Sequence, residues 1–84
     1  MRKIAWSPEA RADIRRIDRK TAMRIFTAIH RFAESGAGDI KELKGSPGEL
    51  RLRVGDYRVR FTSDADDTIR IHTVRHRREA TSVR

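Results

Sequence analysis

The hydrophobic positions of the chain change period once. Ala10, Ile14 and Ile17, then Ala22, Ile25, Phe26, Ile29 and Phe32, recur at the spacing of one helix face. From Leu50 onward apolar and polar residues alternate. Leu50, Leu52 and Val54 alternate with Glu49, Arg51 and Arg53. Tyr57, Val59 and Phe61 alternate with Arg58 and Arg60, and Ile69, Ile71 and Thr73 with Arg70 and His72. A two-residue period marks strands with one buried side.

The residues at the boundaries agree with these periods. Arg2 to Trp6 reads as a first strand. Ser7 can cap a helix, Pro8 suits its first position, and Glu9 favours the positive end of its dipole. Asp18 marks a break or a second cap, and Gly36 suits a left-handed stop after Ser35. Residues 8–35 are therefore expected to form a helical hairpin with one apolar side. Ala37 to Pro47 reads as a loop, Gly55-Asp56 as a two-residue hairpin turn, Asp64-Ala65-Asp66-Asp67 as an acidic turn, and Val74 to Arg84 as a tail.

The turn at Gly55-Asp56 dictates a register. Val54 falls opposite Tyr57, Leu52 opposite Val59 and Leu50 opposite Phe61, all on one face; a one-residue slip would destroy this agreement. The apolar side of the hairpin belongs on that face. The expected fold is thus α+β, an N-terminal helical hairpin packed on a small twisted antiparallel sheet, with residues 1–84 as one domain.

The same register sets Arg53 opposite Arg58 and Arg51 opposite Arg60. Like charges in direct opposition cost up to about 1 kcal/mol per pair, so a face that keeps them suits an anionic partner. Only Glu49 offsets them on that face, and Arg70 and His72 would join from the next strand. Net charge is +8, and 16 of the 20 basic residues are Arg. Arg grips phosphate with a planar fork, which directs the reading to nucleic acid. The chain has no cysteine, which removes disulfides and thiolate metal sites and fits a reducing cytoplasm. No run of about 18 apolar residues suggests a membrane span, and the basic start lacks the apolar run of a signal peptide.

Arg75-His76-Arg77-Arg78 places His76, a residue type that titrates near neutrality, among three Arg at the expected rim of the basic face. His30 sits among exposed helix positions. The sequence holds no HExxH, no Gly-rich phosphate loop and no serine triad, and Asp64, Asp66 and Asp67 read as a solvated turn. Phosphodiester chemistry here would run without a metal or cofactor, a route open to RNA because its 2′-hydroxyl is a built-in nucleophile. The protein need only move protons and neutralise the pentacovalent phosphate.

Several segments together resemble the RelE/ParE toxin superfamily, and its RelE-like branch in particular. These are Trp6-Ser7-Pro8-Glu9-Ala10, Leu43-Lys44-Gly45-Ser46-Pro47, Leu50-Arg51-Leu52-Arg53-Val54, Gly55-Asp56-Tyr57-Arg58-Val59 and Val74-Arg75-His76-Arg77-Arg78-Glu79. The resemblance implies a toxin of a type II toxin–antitoxin system that enters the ribosome and cleaves messenger RNA by 2′-hydroxyl attack. It implies a cognate antitoxin as partner, with operator DNA reached only through the antitoxin complex. Two sheet lysines of the family fall on Arg51 and Arg53, its Tyr-Arg arginine on Arg58, and its C-terminal arginine on Arg77, with His76 just before. The expected catalytic set is Arg51, Arg53, Arg58, His76 and Arg77. Lys44, Arg60, Arg70, His72, Arg75 and Arg78 are the expected further RNA contacts.

Two features depart from the family. Arg in place of Lys cannot lose a proton, which shifts base catalysis to His76 or weakens it. The C-terminal Tyr that stacks on a base is missing, and Thr81 and Val83 stand where it could fall. The competing readings are a ParE-type toxin that binds DNA gyrase without nuclease chemistry, and a plain RNA-binding or degenerate toxin that only binds its antitoxin.

Overall fold

The computed structural model describes residues 1–45 and 47–81, the side chains of residues 80 and 81 excepted. Ser46 and Val83, both named above, therefore lie outside the described residues, as does the side chain of Thr81. The elements in order are β1 (Lys3–Trp6), α1 (Pro8–Arg15), α2 (Arg19–Ser35), β2 (Asp39–Glu42), β3 (Glu49–Val54), β4 (Tyr57–Asp64), β5 (Thr68–His76) and α3 (Arg77–Thr81).

Local chemistry sets the helix ends. Ser7 Oγ accepts the Ala10 N–H at 3.0 Å and Pro8 opens α1. The Asp18 carboxylate accepts the Thr21 N–H at 3.0 Å and opens α2. Gly36, at φ +77°, closes α2 and donates its N–H to Phe32 O at 2.8 Å. The expected helical hairpin is therefore present, broken at Ile17-Asp18.

The sheet runs β1-β5-β4-β3-β2. The central hairpin has the register derived above: Val54 pairs with Tyr57, Leu52 with Val59, Leu50 with Phe61, Arg53 with Arg58 and Arg51 with Arg60. Ile25, Ile29 and Phe32 of α2 and Ala10 of α1 meet Leu52, Val59, Phe61, Ile69, Ile71 and Val74 in one core. Phe32 and Phe61 pack edge to face with centroids 5.1 Å apart.

The structure corrects four expectations. The sheet is mixed, because β1 lies parallel to β5 along its outer edge. The segment expected as a loop contains β2, which pairs antiparallel with β3. The pattern of Asp39-Ile40-Lys41-Glu42 conceals this strand because it has a single apolar residue, as an edge strand needs. The last strand does not end near Val74 but runs to His76, and α3 follows in place of a plain tail. Finally, β5 is bulged. Arg60 pairs with Thr73 but Phe61 pairs with Ile71, so His72 is an extra residue. The bulge resets the alternation, so Val74, and not Thr73, continues the buried row of Ile69 and Ile71.

β1 stops short of the end of β5, and α1 takes its place along the edge. Ser7 still follows the strand, donating its N–H to Ile71 O at 3.0 Å and its Oγ–H to His72 O at 2.9 Å. Beyond that, the Val74 N–H would face outward without a strand partner. The carboxylate of Asp13, from α1, accepts it at 2.9 Å.

Candidate nucleic-acid interface

The face of the sheet away from the helices carries arginine on three adjacent strands. Arg53 stands opposite Arg58, and Arg58 in turn opposite Arg75. Arg51 stands opposite Arg60 on the same side. The Arg58 guanidinium is half-buried and donates to the backbone carbonyls of Gly55 and Tyr57, each at 3.0 Å. Burial lowers its pKa, and repulsion from Arg53, Arg51 and Arg77 lowers it further, with Asp56 opposing. Positive charge is thus concentrated around Arg58, and an anion placed there would relieve it.

Among the described residues, no ion pair engages Arg51 or Arg58. Arg53 approaches Asp39 only to 3.9 Å, in an exposed pair that screening makes weak. Arg77 donates its backbone N–H to Asp56 O at 2.6 Å, and its Nε lies 3.9 Å from the Asp56 carboxylate. Arg77 therefore sits at the end of the hairpin turn, near enough to Arg58 to repel it.

Arg60, Arg70 and Arg75 are different. Arg60 is paired with Glu49, and Arg70 Nε lies 3.1 Å from Asp64. Arg75 bonds Asp13 at 2.9 Å and also pairs with Glu9. Asp13, then the other carboxylates around it, raises the Arg75 pKa against the cost of burial. The expectation that Glu49 alone offsets the basic face is corrected here: Glu9, Asp13 and Asp64 also do so. They come from a helix and from the far end of β4, which the register of the central hairpin does not reach.

Between these groups lies a cleft of about 330 Å³, lined by Arg58, Arg60, Arg75, His72 and Thr73 of the sheet and by Glu9, Glu49 and Glu79. Arg60 Nε and Thr73 Oγ1, on two residues of this lining, are buried and find no hydrogen-bond partner among the described residues.

The two histidines fall on opposite sides. His76 pairs with Tyr57, on the side opposite Arg75, and packs edge-on against its ring at 5.4 Å. Its Nδ1 accepts the Arg78 N–H at 3.2 Å while its own N–H donates to Glu79 at 3.3 Å. This reciprocal pair caps α3. His76 is thus not gathered with the arginines of the sheet. His72, by contrast, lies on the basic face beside Arg70 and lines the cleft, where Nε2 meets Thr62 Oγ1 at 3.0 Å. Lys44 lies in the exposed turn after β2 and Arg78 on exposed α3; neither lines the cleft.

A family model described as the ParE toxin of type II toxin–antitoxin systems, parDE, matches residues 4–81. The chain belongs to this toxin family. Solved structures place the toxin within the wider RelE/ParE superfamily. A chain of the RelB–RelE antitoxin–toxin complex from Methanococcus jannaschii is 26% identical over 90% of this chain and 93% of its own, with a TM-score of 0.77. The YoeB dimer from Staphylococcus aureus is 25% identical over 88% and 94%, with a TM-score of 0.73. The isolated E. coli RelE toxin shares the fold at 13% identity, covering 90% of this chain and 84% of its own, with a TM-score of 0.78. No curated protein matches the sequence.

Three residues at the candidate site escape pattern reading in whole or in part. Asp13 carries a partial signal: it falls three positions after Ala10 on the inward stripe of α1, where a carboxylate needs a partner. Glu9 reads as a favourable helix-start charge, which conceals its second contact with Arg75. Thr73 reaches the cleft only because of the bulge, which no spacing in the sequence announces.

Proposed function

We propose that this toxin is a metal-independent endoribonuclease that cleaves messenger RNA on the ribosome in the cytoplasm, and that a cognate antitoxin holds it inactive. On this reading residues 1–84 act as one toxin domain, and operator DNA is met only through the antitoxin complex. The reading rests on one observation above all: the sheet sets Arg58 opposite Arg53 and beside Arg51, with Arg77 near the same end, and burial together with their charges makes Arg58 harder to keep protonated. Such a cluster is stabilised by the phosphate of a bound polynucleotide, and most of all by the added charge of a pentacovalent phosphate. Arg51, Arg53, Arg58 and Arg77 are the proposed phosphate-neutralising residues. Arg60, Arg70 and Arg75, already compensated by carboxylates, would line the path of the RNA, with Lys44 and Arg78 at its exposed margins. The RelB–RelE assembly from Methanococcus jannaschii supports an antitoxin as partner.

Compensation of three arginines favours a second reading. A smaller cationic surface suits a ParE-type toxin that acts on DNA gyrase through protein contacts, without nuclease chemistry.

Mapping messenger 5′ ends after induced expression separates the two. New ends inside translated codons, absent with Arg58→Ala or Arg77→Ala, support the nuclease. Double-strand DNA breaks with intact messengers support gyrase as target. Full toxicity of both variants overturns the site.

A further inference from the structure

The arginines around Arg58 can neutralise a phosphate but cannot take a proton from a 2′-hydroxyl, since guanidinium stays protonated. A base must come from elsewhere. The glutamates of the cleft are poor candidates, because Glu9 and Glu49 are each committed to an arginine and Glu79 accepts the His76 N–H. His76 lies across the sheet with Nδ1 occupied by the cap of α3. His72 has the geometry that these groups lack.

Its ring is oriented by a short chain of hydrogen bonds. Asp64 can only accept, so Thr62 donates its single hydroxyl proton to Asp64 Oδ1 at 3.4 Å. Thr62 Oγ1 lies 3.0 Å from His72 Nε2, and with its own proton on Asp64 it is placed to accept an Nε2–H. Arg70, bonded to Asp64 Oδ2 at 3.1 Å, fixes the far end. A proton held on Nε2 leaves Nδ1 as the acceptor of a neutral imidazole. No described residue bonds Nδ1, and the ring lines the same cleft as Arg58.

We propose that His72, oriented by Thr62, is the general base of the RNA cleavage assigned above; the proposal rests on that nuclease reading. His72 Nδ1 takes the proton of the 2′-hydroxyl as the 2′-oxygen forms its bond to phosphorus. The bond from phosphorus to the 5′-oxygen breaks, and the departing oxygen takes a proton from water. The products are a 2′,3′-cyclic phosphate and a 5′-hydroxyl end, and the imidazolium returns its proton to solvent. Arg58, with Arg51 and Arg53, neutralises the phosphate during the step. Thr62 is a positioning residue, acting through His72. The bulge adds Thr73 to the same wall: without the extra residue, β5 could not offer both His72 and Thr73 to the cleft.

Charged groups face His72 from every side of the cleft. β4 brings Arg58 and Arg60, β5 brings Arg75, and β3, α1 and α3 bring Glu49, Glu9 and Glu79. The signature of the base is therefore sought in an acid limb of the rate profile together with chemical rescue.

The experiment uses the full chain with ribosomes programmed by a defined messenger, in single turnover, and measures RNA binding and thermal melting beside the rate. His72→Gln is expected to lose about 10²- to 10⁴-fold in the single-turnover cleavage rate at saturating RNA. It is also expected to lose the acid limb seen in the wild type. His72→Ala is expected to regain part of its rate with added imidazole. Thr62→Val, which keeps the packing, is expected to lose about tenfold and to retain the acid limb. A His72→Gln rate within a few-fold of wild type overturns the proposal and leaves the nuclease reading intact. So does a loss confined to His76→Gln. Should the wild-type chain cut no messenger at all, the nuclease reading falls and His72 loses its role with it.

Discussion

Asp13 and Arg75, 62 positions apart in sequence, are joined by a 2.9 Å hydrogen bond between a buried carboxylate and a half-exposed guanidinium. The same carboxylate oxygen accepts the Val74 N–H at 2.9 Å, and the other oxygen holds Arg16 at 2.7 Å. Asp13 is only 3% exposed, so its charge depends on these partners. One residue of the first helix thereby closes the open edge of the last strand and fixes one wall of the cleft.

Asp13→Ala would leave a buried N–H without an acceptor and Arg75 with Glu9 alone. A loss of about 3 kcal/mol is expected, which in a chain of this size lowers the melting temperature by roughly 12–24 °C. Denaturant unfolding of the variant measures it. A loss within the range of an ordinary surface substitution would show that water takes over the task.

If four arginines neutralise about four phosphates, the affinity for single-stranded RNA should fall steeply with salt. The expected slope is roughly 3 in log K per decade of salt concentration, and Arg58→Ala should reduce it by about 0.7. Fluorescence titration across salt concentrations reads both values. A flat response would point to a protein target.

Glu49 pairs with Arg60, and on the proposed reading it would compete with RNA for that guanidinium. Glu49→Gln keeps the shape of the contact but removes its charge, so RNA should bind more tightly. The salt slope should also steepen by about 0.7 if Arg60 then meets a phosphate. An unchanged slope would place Arg60 outside the RNA path.

Asp18 caps α2, and its hydrogen bonds with Thr21 hold its carboxyl below the usual carboxylate range. A group with a depressed folded-state pKa stabilises above its unfolded pKa, and that contribution is lost as pH falls through the folded value. Asp18→Ala should therefore melt lower than wild type at neutral pH, with the difference closing in acid. A pH series of thermal melts checks the sign. A difference that persists in strong acid would assign the effect to packing.

Hydrophobic period and turn chemistry by themselves determine much of this protein. Two caps and a left-handed glycine delimit the helical hairpin, because each acts within one turn of its own chain. Gly55-Asp56 alone sets the partners of six apolar residues and four arginines, because a tight turn leaves one register with a single buried face. Contacts between distant segments are decided only in three dimensions. β2 depends on an edge that β3 offers, β1 on an edge of β5, and the compensation of Arg75 on a helix from the other end of the chain. Above all, one extra residue in β5 brings Thr73 and Arg75 onto the basic face and sends His76 to the other. A bulge is favoured by the strain and hydrogen bonding of a whole sheet, and those are sums over strands that local sequence does not contain.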